Sequence, residues 1–264
     1  MKPTQTELLL DRAARLNGGV VRMGKLDSAL AAVLAEAGHT LEPNTLSQVL
    51  ASMVERGDAI RLGKGVFALR DAQGGINPVA IGPRLAYGPA YVSMRTVAER
   101  AGLTTNFGRL VSVVTQRDVP APSIAIPGAE AAVYFHRISE TRFFGFTEQP
   151  TDDGLWAPLA RPEKALLDML WFSGAPDTPP AFEQMEMWEA AAASPQVNPR
   201  ALVGYAVRMD SPSLVRRTGY LMDRFDIDGA DDLLPHRGTF RGGTPLFGLP
   251  DEVGGLPKNR WDVV

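Results

Sequence analysis

The chain of 264 residues contains no cysteine. Disulfides, thiolate zinc sites, iron–sulfur ligation and cysteine nucleophiles are thereby excluded, and the cytoplasm is the expected compartment. Histidine is scarce: His39, His136 and His236 lie far apart, without the spacing of a metal site. No metal and no cofactor are expected. Neither sign of charge dominates, with 27 Lys and Arg against 30 Asp and Glu. Nucleic-acid binding would therefore need a local patch, because the net field of the molecule does not supply it. No run approaches the roughly 18 apolar residues of a membrane span. Residues 1–5 lack the charged-then-apolar pattern of a leader, so neither membrane nor export is expected. What remains is 45% hydrophobic and 22% charged, enough apolar material for a core without staples.

Turn formers divide the chain. Asp71, Gly74, Gly75, Asn77 and Pro78, followed by Gly82-Pro83 and Gly88-Pro89, predict a non-helical linker over residues 71–88. Residues 1–70 carry nine Lys and Arg against seven Asp and Glu, whereas the rest of the chain is net acidic. That sign suits a nucleic-acid module joined to a regulatory or protein-binding one.

Three helical patterns precede a hairpin in residues 1–70. Residues 4–16 carry Leu8, Leu9, Ala13 and Leu16, and residues 26–37 carry Leu30, Val33 and Leu34 before Gly38. The third starts near Glu42-Pro43 and repeats Leu46, Val49, Leu50, Met53 and Val54 on one stripe. Two β-rich runs, residues 59–62 and 66–69, then flank Gly63-Lys64-Gly65, whose glycines permit a tight tip. Three helices and a hairpin predict a winged helix-turn-helix. Opposite the third apolar stripe lie Asn44, Thr45, Ser47, Gln48, Ser52 and Arg56, side chains able to meet base edges or phosphates. Arg61 and Lys64 on the hairpin complete the candidate DNA-binding set. A plainer reading stays open: Thr45 and Gln48 fit a capping box, and Arg56 complements a helix C-terminus. Winged helices also serve as protein-contact modules.

Beyond residue 88 the pattern is mixed α+β. Ser93 is placed to cap a helix through Val97 and Ala101. Strand-like runs at 110–115, 123–126, 132–138 and 143–146, joined by short turns, predict an antiparallel sheet. Helices are expected from Pro162 and over 181–193, 199–209 and 212–225. Trp171, Phe172, Phe182, Met185, Met187 and Trp188 read as core between them. Phosphate-loop, dinucleotide and nucleophile-elbow motifs are absent, and no catalytic residue is assigned. The run Arg161-Pro162-Glu163-Lys164-Ala165-Leu166-Leu167-Asp168 reads as a well-started buried helix with a structural role. Glu163 and Asp168 are five apart and so do not share a face as an acid pair. Asp152-Asp153 and Asp231-Asp232 read as solvated loop acids.

Several of these segments resemble the AbiEi family, antitoxins and transcriptional regulators of the abortive-infection type E system. They are Leu46 to Leu50 with Arg61 to Leu69, Ala90 to Leu103, and Val111 to Thr115. Ala160 through Asp168 resembles the family's hallmark helix start, and Arg217-Thr218-Gly219-Tyr220-Leu221 a later helix. The chain differs in Arg95-Thr96-Val97, where the family has Ser-Ala-Leu, and in Phe67, where Tyr is common. The resemblance implies a type IV toxin–antitoxin role in phage defence. A winged helix (residues 1–70) would bind double-stranded operator DNA with inverted repeats and repress its own operon. An α+β antitoxin domain (residues 89–264) would counter a nucleotidyltransferase-like toxin, without a stable complex being required. Two alternatives stand beside it. One is a one-component regulator whose C-terminal part senses a small molecule. The other is an enzyme, a nuclease or toxin-modifying transferase, using Asp152, Glu163 or Asp168.

Overall fold

Among the described residues proline begins five helices, where its missing N–H is one of those left unbonded in any case. The computed structural model describes residues 5–16, 18–23, 35, 43–70, 74–119, 121–239, 244–247 and 259–263. The helix expected over residues 26–37 lies outside them apart from Ala35. The chain opens with α1 (Gln5–Leu16), β1 (Val20–Arg22) and α2 (Pro43–Arg56), then β2 (Ala59–Gly63) and β3 (Val66–Leu69). These three strands form an antiparallel sheet in the order β1-β3-β2. Leu10, Ala14, Val21, Leu46, Leu50, Met53, Ala59 and Leu69 close a small core beneath it.

Strand alternation gives this sheet a second buried face. Val20 and Ala68, paired across β1 and β3, join the larger core of the rest of the chain. The junction is tight. Gly18 (φ +60°) lies so close to α3 (Pro78–Leu85) that a Cβ would stand 2.5 Å from the Ala80 carbonyl oxygen. Arg22 donates to the carbonyls of Arg84 (2.6 Å) and Ala86 (3.2 Å) just beyond it.

That α3 exists corrects the expectation that residues 71–88 hold no helix. Asn77 caps it, its side-chain oxygen accepting from Val79 (2.9 Å) and Ala80 (3.3 Å), with Pro78 as first residue. Gly82 sits over Val113 and Val133, and Pro83 costs the last turn one N–H before the helix stops at Leu85. Burial against a sheet outweighs the local propensity.

The larger unit is built from β4 (Ala90–Val92), α4 (Met94–Arg100), β5 (Leu110–Thr115), β6 (Ser123–Ile126), β7 (Ala131–Arg137), β8 (Phe146–Pro150) and β9 (Trp156–Ala160). Then follow α5 (Pro162–Trp171), α6 (Ala181–Ala193), α7 (Pro199–Arg208) and α8 (Pro212–Arg224), with 3-10 turns at Glu140–Arg142 and Ala230–His236. The fold is mixed α+β, and the six-stranded sheet runs β6-β7-β5-β4-β9-β8. It is not antiparallel throughout, as the short turns predicted: β5 pairs β7, and β4 pairs β9, in parallel. The reason is that β6 takes the edge, antiparallel to β7, which returns β7 alongside β5 in the same direction. The strand expected at residues 143–146 is displaced, with β8 beginning at Phe146.

The two faces of this sheet differ. Gly82 of α3 packs on Val113 and Val133. The alternate positions, Tyr91, Ser93, Ser112 and His136, hydrogen-bond acids from α5 and from the segment before α6. Met187 and Trp188 are core, while Phe182 is exposed instead of buried. Among the described residues no helix is long and apolar enough to cross a membrane.

Candidate functional site

At about 100° per residue, the apolar stripe of α2 turns Leu46, Leu50 and Met53 inward. Asn44, Thr45, Ser47 and Gln48 are all exposed on the other side, with Ser52 half-buried one turn beyond Gln48. Asn44, Gln48 and Ser52 are spaced four apart and form one row. Thr45 is the third residue of the helix, past the N-cap position, so the capping box is not available to it.

Arg56 is also exposed, and its guanidinium is bonded within the N-terminal unit. It donates to Ser52 Oγ (2.8 Å), to Asp58 (2.9 Å) and to Glu7 of α1 (2.5 Å). Its hydrogen bonds to Glu7 and then to Asp58 raise its pKa further, and the bond to Glu7 ties α2 to α1. Sequence reasoning also passed over Glu55, exposed on the outward face near Gln48.

On the hairpin, Arg61 and Lys64 point to solvent. Arg61 Nε donates to the Gly63 carbonyl (3.2 Å), which holds it along the strand. Lys64 has no ion-pair partner among the described residues and sits at the tip beside Gly65 (φ +69°). α2 thus exposes amide and hydroxyl groups, and the hairpin that follows it exposes two cations.

The run Arg161 to Asp168 is spent differently. Arg161 is exposed at the N-cap of α5 and Pro162 is its first residue. Glu163 is buried and accepts from the Asn198 N–H (2.6 Å), joining α5 to the start of α7. Lys164 and Asp168, one turn apart, form an ion pair with no exposed side-chain surface. The Tyr91 hydroxyl accepts from Lys164 (3.0 Å) and donates to Asp168 (3.1 Å), and Ser93 Oγ donates to Asp168 (2.7 Å). Burial pushes the Lys164 amine down against the pull of Asp168, and pushes the Tyr91 hydroxyl well up. Ser93 therefore bonds Asp168 and does not cap α4 through its side chain. With no exposed side-chain surface, the pair and its two hydroxyl partners anchor α5 to β4.

A second buried cluster was not foreseen. His136 Nε2 lies 2.8 Å from Asp177 Oδ2, which also accepts from Ser112 Oγ (2.7 Å), and Phe172 packs on the His136 ring. Burial pushes the Asp177 carboxyl up, but its bonds to His136 and Ser112 prevail and hold it below the usual range. The loop acids are engaged as well. Asp152 pairs with Arg100 (3.1 Å), and Asp153 accepts from Asn77 (2.9 Å) and Thr151. Asp231 pairs with Arg260 (2.5 Å). Asp152 is exposed on its turn while Glu163 and Asp168 are buried in separate bonds, so the three do not form one acid site. Among the described residues no group of three His, Cys, Asp or Glu is placed to hold a metal ion.

Neither a protein-family model nor a curated protein sequence matches this chain.

Proposed function

We propose that the protein is a DNA-binding autorepressor and antitoxin of the type IV toxin–antitoxin class. In this reading residues 1–70 form a winged helix-turn-helix with α2 in the major groove. Asn44, Thr45, Ser47, Gln48 and Ser52 meet base edges and phosphates, and Arg61 and Lys64 hold the backbone beside the hairpin. The observation that carries it is the solvent-facing row of amide and hydroxyl side chains on α2, packed over its own small core and flanked by a lysine-tipped hairpin. Arg56, bonded to Glu7 and Asp58, ties α2 to α1 as well as standing in the candidate set. The antitoxin half rests on the resemblance of residues 160–168 and 217–221 to AbiEi proteins, and residues 89–264 act there without catalysis. The partners are operator DNA with inverted repeats and a nucleotidyltransferase-like toxin, in the cytoplasm.

The test is fluorescence anisotropy at matched salt, with the duplex immediately upstream of the gene against a scrambled one. Preference for the upstream duplex, weakened in the Arg61→Ala/Lys64→Ala double variant, is the expected result. Equal and negligible binding to both would make the hairpin and α2 a protein-contact surface. Growth rescue of cells expressing the co-encoded toxin, by the full chain carrying the same two substitutions, tests the antitoxin half separately.

A further inference from the structure

Of the charged residues in the run Arg161 to Asp168, Glu163, Lys164 and Asp168 are buried in bonds, and Arg161 alone is exposed. It lines a groove bounded by the β8 edge, the end of α4 and the start of α5. Arg100 and Arg161 bring two guanidinium groups to this groove, and Thr147, Gln149 and Gln196 add neutral polar side chains. Its floor is apolar, with Val97 and Leu159 both buried. No acid lines it among the described residues. Strand alternation accounts for that: Thr147 and Gln149 share one side of β8, whereas Glu148 between them turns to the other and meets Arg84 (3.3 Å).

We propose that this groove binds a nucleoside phosphate. Its volume of about 370 Å³ lies in the range of small-molecule sites. Two guanidinium groups and no carboxylate suit a phosphate, whose several oxygens accept from both arginines at once; a single carboxylate would satisfy one. Gln149 already donates to Thr147 Oγ1 (3.2 Å), which leaves the hydroxyl proton to be donated to a ligand. The carboxamides of Gln149 and Gln196 carry the paired donors and acceptors that read a base edge, over a floor that takes the base's apolar face. Arg100 is held by the Pro150 carbonyl (3.3 Å) and by Asp152, whose side chain is 92% exposed, so the pair gives way to phosphate at little cost. Arg161 makes no side-chain bond within the described residues that its replacement would break.

Isothermal titration of the full chain with GTP, ATP, GMP and inorganic pyrophosphate tests this. A nucleotide is expected to bind the wild type and to bind Arg161→Ala and Arg100→Ala about tenfold or more weakly. Arg161→Lys is expected to keep part of the affinity, and Lys64→Ala all of it, which separates the groove from the surface of α2 and the hairpin. Thermal melting without ligand verifies that each variant is folded. Absence of binding by every nucleotide, or unchanged binding in Arg161→Ala, overturns the proposal. Pyrophosphate binding as tightly as GTP overturns its nucleoside part. Loss of nucleotide binding in Lys64→Ala with Arg161→Ala intact assigns the ligand to the other face.

Discussion

The indole of Trp261 occupies the space that a side chain at Gly219 would need. A Cβ on Gly219 would stand only 2.4–2.5 Å from three carbons of the indole, and the ring itself is fully buried. Its Nε1 donates to Asp223 one turn further along α8 (2.6 Å). Arg260 bonds the same carboxylate, and that hydrogen bond, ahead of the one from Trp261, holds the Asp223 carboxyl below its usual range despite burial.

Gly219→Ala therefore overpacks this contact and is expected to lower stability by about 1–3 kcal/mol, in spite of its better helix propensity. Gly204, in the interior of α7 with open space where its Cβ would stand, is the control. Gly204→Ala is expected to raise stability by about 0.4–1 kcal/mol. Urea unfolding of the two variants against wild type checks both signs.

Removing one member of the Lys164–Asp168 pair leaves the other charge buried. Asp168→Leu or Lys164→Met alone is expected to cost about 3–5 kcal/mol. The double variant is expected to recover part of that loss, since a buried ion pair and its apolar replacement are often close in free energy. A double-mutant cycle by denaturant unfolding gives the coupling. Strictly additive losses would contradict a sealed pair.

The Asp177 carboxyl, held low by His136 and Ser112 against its own burial, sets a pH dependence. A carboxyl lower in the folded than in the unfolded chain (about 3.9 unfolded) stabilises above that value. The contribution drains away as pH falls through the folded pKa. Asp177→Asn is expected to be less stable than wild type near pH 7, with the gap narrowing below about pH 4. Thermal melts across this range read it; a gap that stays constant would mean the carboxylate charge contributes nothing.

Arg56→Ala is expected to lower the melting temperature more than it lowers DNA affinity, because its guanidinium serves Glu7 and Asp58. Gln48→Ala and Lys64→Ala are expected to do the reverse. With few cations on this face, about 3–5 phosphate contacts give a log–log salt slope of roughly −3 to −4.5 per protomer. A slope near zero with no sequence preference would remove DNA from the account.

The sequence made long periodic elements legible. The stripes over 181–193, 199–209 and 212–225 coincide with α6, α7 and α8, and β5 and β6 begin and end where their apolar runs do. It hid elements too short for a period to register, such as β1 and β4 with three residues each. It hid α3 because Gly82-Pro83 argues against helix locally, and only a sheet distant in sequence supplies the burial that wins. Among the candidate residues, exposure on α2 followed from the stripe, since it is the complement of the apolar face. The fate of Arg56 did not, because Glu7 lies 49 residues away. Lys164 and Asp168 carried a readable four-residue spacing that attention to the two acids obscured. Their partners Tyr91 and Ser93 lie more than 70 residues earlier, beyond the reach of any local pattern.

The seam between the small sheet and α3 has a consequence for how such chains can be inherited. Val20 and Ala68 fill part of a core owned by the later residues, Gly18 is shaped to the Ala80 carbonyl, and Arg22 ends on carbonyls of Arg84 and Ala86. A crossover that exchanged residues 1–70 with those of another chain would separate both sides of this fit. Under the repressor proposal, new operator specificity would be reached more readily by substitution along the outward row of α2 than by shuffling the N-terminal segment as a cassette.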